Sequence, residues 1–581
     1  MTPDDAVSLV IPVTTRQTQW STEDAGFDDK SNWMDRTMRA AELFVRCLEN
    51  ENVEYIFGIP GEENLDVMDA LLDSSIRFVT VRHEQGAAFM ADVYGRLTGR
   101  PGVCLATLGP GATNLITGTA DANMDRAPVV AIAGQGSTHR LHKESHQILD
   151  LVNLFEPISK YAAQLREPAI IPEVVRKAFK VAKGEKPGCT FIDFPENIAA
   201  ETIEGKAPLK VQEARIPRPP EEKIAQAAEL IRTAQRPLIL AGNGVIRSRA
   251  VDALREFATK LNIPVATTFM AKGCVPSGHP MSLGTTGLAA NDYISCGFDR
   301  ADVVICVGYD IVEYHPHLWH RNIGQKIVHI DSMPAEVDEH YILEVGVMGD
   351  IAAGLRGIAL QVPPRAGNWA ASLRRAIDAD YHEHAEDLGF PVKPQKILWD
   401  LRQVLAADDI LVSDVGAHKM WIARLWQAQV ANTCIISNGF AAMGIGVPGA
   451  IAAKLVYPER RIVAITGDAG FLMNSQEIET ALRLGLALVI LVWSDSRYGL
   501  IKWHQDRRFG RDSHIDFTNP DFVKYAESFG ARGFRVESSE ALVPVLQEAL
   551  SCGTVAVVDC PVDYAENMKL TEKLGALVCP I

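Results

Sequence analysis

One stretch constrains this chain more than any other: Ile465 to Gly499, which reads ITGDAGFLMNSQEIETALRLGLALVILVWSDSRYG. An apolar, β-rich run from Arg461 to Thr466 ends in Gly467-Asp468-Ala469-Gly470. A helical pattern carrying Ile478, Ala481, Leu482 and Leu484 follows, then a second apolar run from Ala487 to Trp493, closed by Ser494-Asp495-Ser496. Strand, helix and strand in that order make a βαβ unit, whose crossover leaves the two strands parallel. Their carboxyl ends share one sheet edge, so Asp468 and Asp495, 495 − 468 = 27 positions apart, converge there.

Gly467, Ala469 and Gly470 keep the turn small enough for backbone N–H groups and a helix N-terminus to approach a phosphate. Two carboxylates alone would repel it. A hard cation such as Mg²⁺ reconciles the charges, because it takes oxygen from carboxylates, a carbonyl and substrate phosphates together. Each aspartate by itself also suits a helix cap or a turn; the pair at this spacing is the specific signal. It resembles the signature of the thiamine-diphosphate enzymes, Gly-Asp-Gly or Gly-Asp-Ala followed after a strand-length gap by an Asn or Asp. The resemblance implies Asp468, Asp495 and the Arg497 carbonyl as metal ligands, with Gly467, Ala469, Gly470, Tyr498 and Gly499 around the cofactor.

Other segments extend the resemblance. Arg82-His83-Glu84, where a short strand meets a helix, is similar to the segment whose glutamate hydrogen-bonds the pyrimidine ring, which implies Glu84 as the proton-relay group. The glycine-rich but apolar Ser437–Gly449 segment resembles the loop supporting the bent cofactor, with Gly439 on the loop and Met443 as the residue wedged between the two rings. Asp414 to Trp421 follows a strand and matches the segment touching the diphosphate, giving Gly416 and His418. Leu108 to Asn114 corresponds to a loop at the substrate end, and His146-Gln147 fall where relatives place an active-site Gln, giving Gln147.

Three α/β domains of doubly wound parallel sheet are expected, a pyrimidine-binding domain at 37–205, a central domain at 220–362 and a diphosphate-binding domain at 392–562. Proline-rich stretches at Ala207–Glu221 and Pro363-Pro364 mark the boundaries. Residues 1–36 read as a flexible extension without the basic start and apolar core of a signal peptide, and 563–581 as a tail returning across the surface. The first and third domains repeat strand, glycine turn and helix, which suggests a shared architecture. Ten cysteines without a Cys-x-x-Cys pair or zinc spacing suggest reduced, mostly buried thiols. A net charge of −16 disfavours nucleic acid and anionic lipid, and no apolar run is long enough to span a membrane, so a cytoplasmic protein is expected.

Within the superfamily the chain resembles the acetolactate synthases, above all their catabolic, flavin-independent branch, through Gly308–Tyr314, Val492–Ser496 and Phe522–Gly530. The implied reaction decarboxylates pyruvate on thiamine diphosphate and joins the two-carbon unit to a second pyruvate. Tyr309 and Asp310 stand where biosynthetic relatives carry an arginine-rich FAD segment, so FAD is not expected. His504 stands five positions after Gly499, where relatives use Trp or Gln near the acceptor, and it leaves open another carboligase, lyase or decarboxylase acting on a different 2-oxo acid or aldehyde. A non-catalytic paralogue is the third possibility. The family implies a homodimer or homotetramer with sites between chains.

Overall fold

Short aliphatic and β-branched runs form the framework. The structure is a computed structural model that describes residues 37–212, 215–287, 292–321 and 324–580; the expected extension at 1–36 lies outside them. Strands such as Val129–Gln135 and Val303–Val307 are buried at every position, as a parallel sheet covered by helices on both faces requires. Three such sheets, each of six parallel strands, follow one another along the chain, and the fold is α/β throughout.

Numbered by chain order within each sheet, the strands of the first and third domains both run 2-1-3-4-6-5, whereas those of the central domain run 3-2-1-4-5-6. The shared order bears out the expectation of a common architecture at the two ends of the chain. It also places a switch point in the third sheet, where Ile410–Ser413 lies beside Ile462–Gly467. Loops leaving neighbouring strands diverge at such a point and open a crevice at their carboxyl ends.

The first and third domains share one apolar core in which the helices Glu84–Thr98 and Gly446–Val456 meet. Gly449 permits the contact, since a Cβ there would stand 3.0 Å from Val93 Cγ2.

Two expectations need correction. The segment after Val562 is not a simple surface tail. It forms the helix Glu566–Gly575, which buries Leu570 and Leu574. Trp421 Nε1 donates to Asn567 Oδ1 and Trp503 Nε1 to Thr571 Oγ1, each at 2.8 Å. Nor are all the thiols reduced, because Cys296 and Cys579 form a disulfide with a Cα–Cα distance of 5.7 Å. The partners are 283 residues apart, so no local spacing announces the pair.

Candidate functional site

A cavity of about 180 Å³ opens at the switch point of the third sheet. Its wall is built from the loops that follow three adjacent parallel strands: Val415 to His418, Gly467 to Gly470, and Asp495 to Ile501. Ala441, Met443, Trp493 and Tyr564 complete the lining. Of the residues read from the sequence, the structure gathers Gly416, His418, Met443, Gly467, Asp468, Ala469, Gly470, Asp495, Arg497, Tyr498 and Gly499 here.

Asp468 is 1% exposed. Its Oδ2 accepts from the backbone N–H of Asp495 at 3.1 Å and of Ser496 at 2.7 Å, and from Asn519 Nδ2 at 2.8 Å. Ser496 takes a left-handed φ of 58°, which turns consecutive N–H groups toward one oxygen. Oδ1 accepts from Ala469 N–H at 2.9 Å. Three donors thus saturate Oδ2 and fix the side chain, leaving Oδ1 with lone-pair capacity for a ligand.

Burial and the neighbouring Asp468 charge push Asp495 up to about 7, and burial also raises Asp468. Repulsion of this kind marks a place built for a cation. The Arg497 guanidinium offsets this only in part, since its Nε pairs with Asp516 at 2.8 Å and Asp495 is still pushed up. The Arg497 carbonyl accepts from Gly499 N–H at 2.9 Å and keeps a second lone pair. Among the described residues no three His, Cys, Asp or Glu side chains converge on one metal position, so a metal here needs oxygens from backbone and ligand as well.

Two residues of the cavity lining carry buried polar atoms. His418 Nε2 and Trp493 Nε1 are buried without a hydrogen-bond partner, and the two rings meet edge-on at 6.3 Å. Burial depresses the imidazole to about 3, so His418 is neutral at physiological pH. Orphaned donors and acceptors of this kind are costly unless a ligand satisfies them.

Glu84 lies elsewhere in the chain. It is 8% exposed at the start of the helix Glu84–Thr98, and its Oε2 accepts from Asn114 Nδ2 at 3.0 Å. Oε1 stands beside Gly111, where a Cβ would be 3.4 Å away. Gln147, exposed and at φ 59°, packs against Gly109, itself at φ 53°. Glu84, Asn114, Gly109 and Gln147 thus form a second cluster, on the first domain, and neither Glu84 nor Gln147 lines the third-domain cavity.

Gly439 and His504 are not in the cavity wall either. Gly439 N–H donates to Asp125 Oδ1, and a Cβ there would stand 2.9 Å from the Met124 carbonyl oxygen of the first domain. His504 is exposed on the helix Gly499–Phe509, whose Leu500 and Ile501 face the cavity. In the central domain the switch-point turn after Pro237–Ala241 is filled from within, because Glu313 accepts from Asn243 N–H at 3.0 and 3.1 Å and from the Thr268 hydroxyl. Asp310 pairs with Arg126 at 2.9 Å and Lys186 at 3.2 Å.

Sequence reasoning missed Asp414, Asn519 and Tyr564. Asp414 was visible two residues before Gly416; Tyr564 falls beyond the expected domain end, and Asn519 had no motif to mark it.

Family models describing thiamine pyrophosphate enzymes match all three domains: the N-terminal TPP binding domain over residues 38–154, the central domain over 224–358 and the C-terminal TPP binding domain over 414–560. The chain belongs to this family. Apart from Tyr564, the residues lining the cavity fall within the C-terminal TPP binding domain of the family, and the Glu84 cluster falls within the N-terminal one. Acetolactate synthase of Bacillus subtilis is 36% identical over 551 residues, covering 93% of this chain and 97% of the relative. The catabolic acetolactate synthase of Raoultella terrigena is also 36% identical, over 94% and 99% of the two chains. A probable acetolactate synthase large subunit of Methanocaldococcus jannaschii is 35% identical over 93% and 94%.

Proposed function

We propose that this thiamine pyrophosphate enzyme is an acetolactate synthase of the flavin-independent kind, converting two molecules of pyruvate into 2-acetolactate and CO₂. The supporting observation is the switch-point cavity with its paired carboxylates, in a chain similar over nearly its whole length to relatives named for that reaction. The residues present fit the cofactor: Gly416, Gly467, Gly470 and Gly499 leave room beside the backbone, His418 and Trp493 offer unsatisfied polar atoms, and Met443 stands at the side of the cavity. When bound, thiamine diphosphate supplies the electron sink for decarboxylation.

The chain's own groups do the rest. Asp468 Oδ1, an Asp495 carboxylate oxygen and the Arg497 carbonyl would hold Mg²⁺, which neutralises the diphosphate and relieves the repulsion between the two aspartates. Glu84 Oε1 would hold a proton against the pyrimidine ring nitrogen while Asn114 fixes Oε2. Neutral His418 adds a hydrogen bond without adding charge. Apolar walls from Ala441, Met443, Leu500 and Ile501 keep water from the reacting carbon.

On this reading a complete site is assembled from two chains, which is supported by Glu84 lying outside the cavity lining of its own chain. Exposed apolar residues around the cavity, Phe440 at 47%, Met473 at 41%, Tyr498 at 41% and Ile501 at 49%, suit such an interface. Bound FAD is not part of this reading: Glu313 occupies the turn of the central sheet that would face a cofactor phosphate, and Asp310 is neutralised internally. His504 favours one second reading, in which the donor step is the same but another 2-oxo acid or an aldehyde is the acceptor. Incubation with pyruvate alone, thiamine diphosphate and Mg²⁺ separates the two, since only the first yields 2-acetolactate. Calorimetry with thiamine diphosphate would expose a non-catalytic paralogue by lack of binding.

A further inference from the structure

We propose that Glu477 is a positioning residue for Glu84, acting across the interface between the third and first domains of one chain. The proposal rests on the reading of Glu84 as the proton-holding group and goes beyond it by naming what sets that group's place. Glu84 opens a helix, so its direction follows the backbone immediately before it. The N–H groups of Arg82 and His83 there both donate to Glu477 Oε1, at 3.0 and 3.1 Å, and that of Arg82 also reaches Oε2 at 3.3 Å. The His83 N–H is one of the donors that a helix start leaves without an intrahelical partner, and the Arg82 N–H lies just before it.

Glu477 is 0% exposed, and the Thr480 hydroxyl donates to its Oε2 at 2.6 Å. From the same segment, Asn474 Nδ2 donates to Gln85 Oε1 at 3.1 Å and to the Gly444 carbonyl at 2.9 Å. Glu84 is therefore bracketed, Arg82 and His83 on one side and Gln85 on the other, by two side chains of the third domain. The bracket needs Gly86, where a Cβ would stand 2.9 Å from Glu477 Oε1. Burial raises the Glu477 pKa, and a carboxylate is a costly way to glue two domains when apolar residues pack as well. Its place is explained by what it holds.

Four proteins decide the matter: wild type, Glu84→Gln, Glu477→Gln and the double variant. Calorimetry reads thiamine diphosphate affinity, and proton exchange at C2 of the bound cofactor, followed by NMR, reads the action of Glu84 without any substrate. Glu477→Gln is expected to keep the affinity near wild type, because the diphosphate cavity is untouched. It should slow exchange by ~10²-fold, the scale of a misplacement of about 1 Å, and it should add nothing in the Glu84→Gln background. Equal losses in both backgrounds overturn the proposal and leave the role of Glu84 standing. Wild-type exchange in Glu84→Gln itself sinks both. Should Glu477→Gln fail to fold, Thr480→Val loosens the same carboxylate: slowed exchange that Glu84→Gln absorbs supports the proposal, and wild-type exchange overturns it.

Discussion

Asp414→Asn tests whether the seat of Met443 is held from beneath. Asp414 is 1% exposed. Its Oδ1 accepts from the N–H groups of Val415 at 2.6 Å and Gly444 at 2.9 Å, and its Oδ2 from Gly446 N–H at 3.1 Å and the Thr466 hydroxyl at 3.3 Å. An amide presents an acceptor along one edge only. With its oxygen toward Val415 and Gly444, its NH₂ faces Gly446 N–H, and the Thr466 hydroxyl can turn to accept. One buried N–H is then stranded, at a cost of about 1–3 kcal/mol. Because Gly444 and Gly446 lie where the Met443 loop enters the helix Gly446–Val456, the loss falls on the conformation that receives the cofactor. Thiamine diphosphate affinity, measured by calorimetry, should weaken roughly 5- to 150-fold, and the melting temperature of the cofactor-free protein should fall. An Asp414→Asn protein with wild-type affinity and melting temperature would show that Asp414 does not hold the loop.

Five further outcomes follow from the geometry. Glu84→Gln should keep thiamine diphosphate and lose ~10²–10⁴ in turnover, Asp468→Ala should lose Mg²⁺-dependent cofactor binding, and mixing the two inactive chains should restore activity; mixtures that stay inactive after proven subunit exchange would place each site within one chain. Burial pushes Glu313 up to about 7 from an ordinary glutamate value of 4.5, so the folded chain binds this proton more tightly than the unfolded one and its stabilising effect is lost as pH rises from about 4.5 through 7; Glu313→Gln should flatten that part of the melting-temperature profile, and an unchanged slope would assign it to other groups. Cys296→Ser should release the chain end beyond Gly575 and make it more protease-sensitive, with a stability loss of about 2–4 kcal/mol if the disulfide contributes as such bonds usually do; unchanged proteolysis would mean that Leu570 and Leu574 hold the segment unaided.

The fold was legible where its physics is local. Fully buried parallel strands announce themselves as apolar runs, and glycine turns mark their carboxyl ends, so the βαβ unit at Ile465–Gly499 and the convergence of Asp468 with Asp495 could be read without coordinates. Long-range pairings could not. Cys296 with Cys579, Glu477 with Arg82 and His83, and Asn519 with Asp468 join positions whose separation carries no periodic signal. His504 and Gly439 illustrate a further limit: motif alignment places both near the cofactor, whereas within one chain neither lines the third-domain cavity, His504 being exposed one turn beyond Leu500 and Ile501 and Gly439 donating its N–H to Asp125 of the first domain. Tyr564 was lost because the domain end was set by the last strand, whereas the chain folds back over its own cavity.

The central claim is that this chain joins two pyruvates. The purified protein, supplied with thiamine diphosphate, Mg²⁺ and pyruvate as the sole organic substrate, should release CO₂ and accumulate 2-acetolactate, detected as acetoin after acid treatment, in a ratio of one acetolactate to two pyruvates consumed. Pyruvate left unconsumed by a protein that demonstrably binds the cofactor, or converted to acetaldehyde without acetolactate, would contradict it.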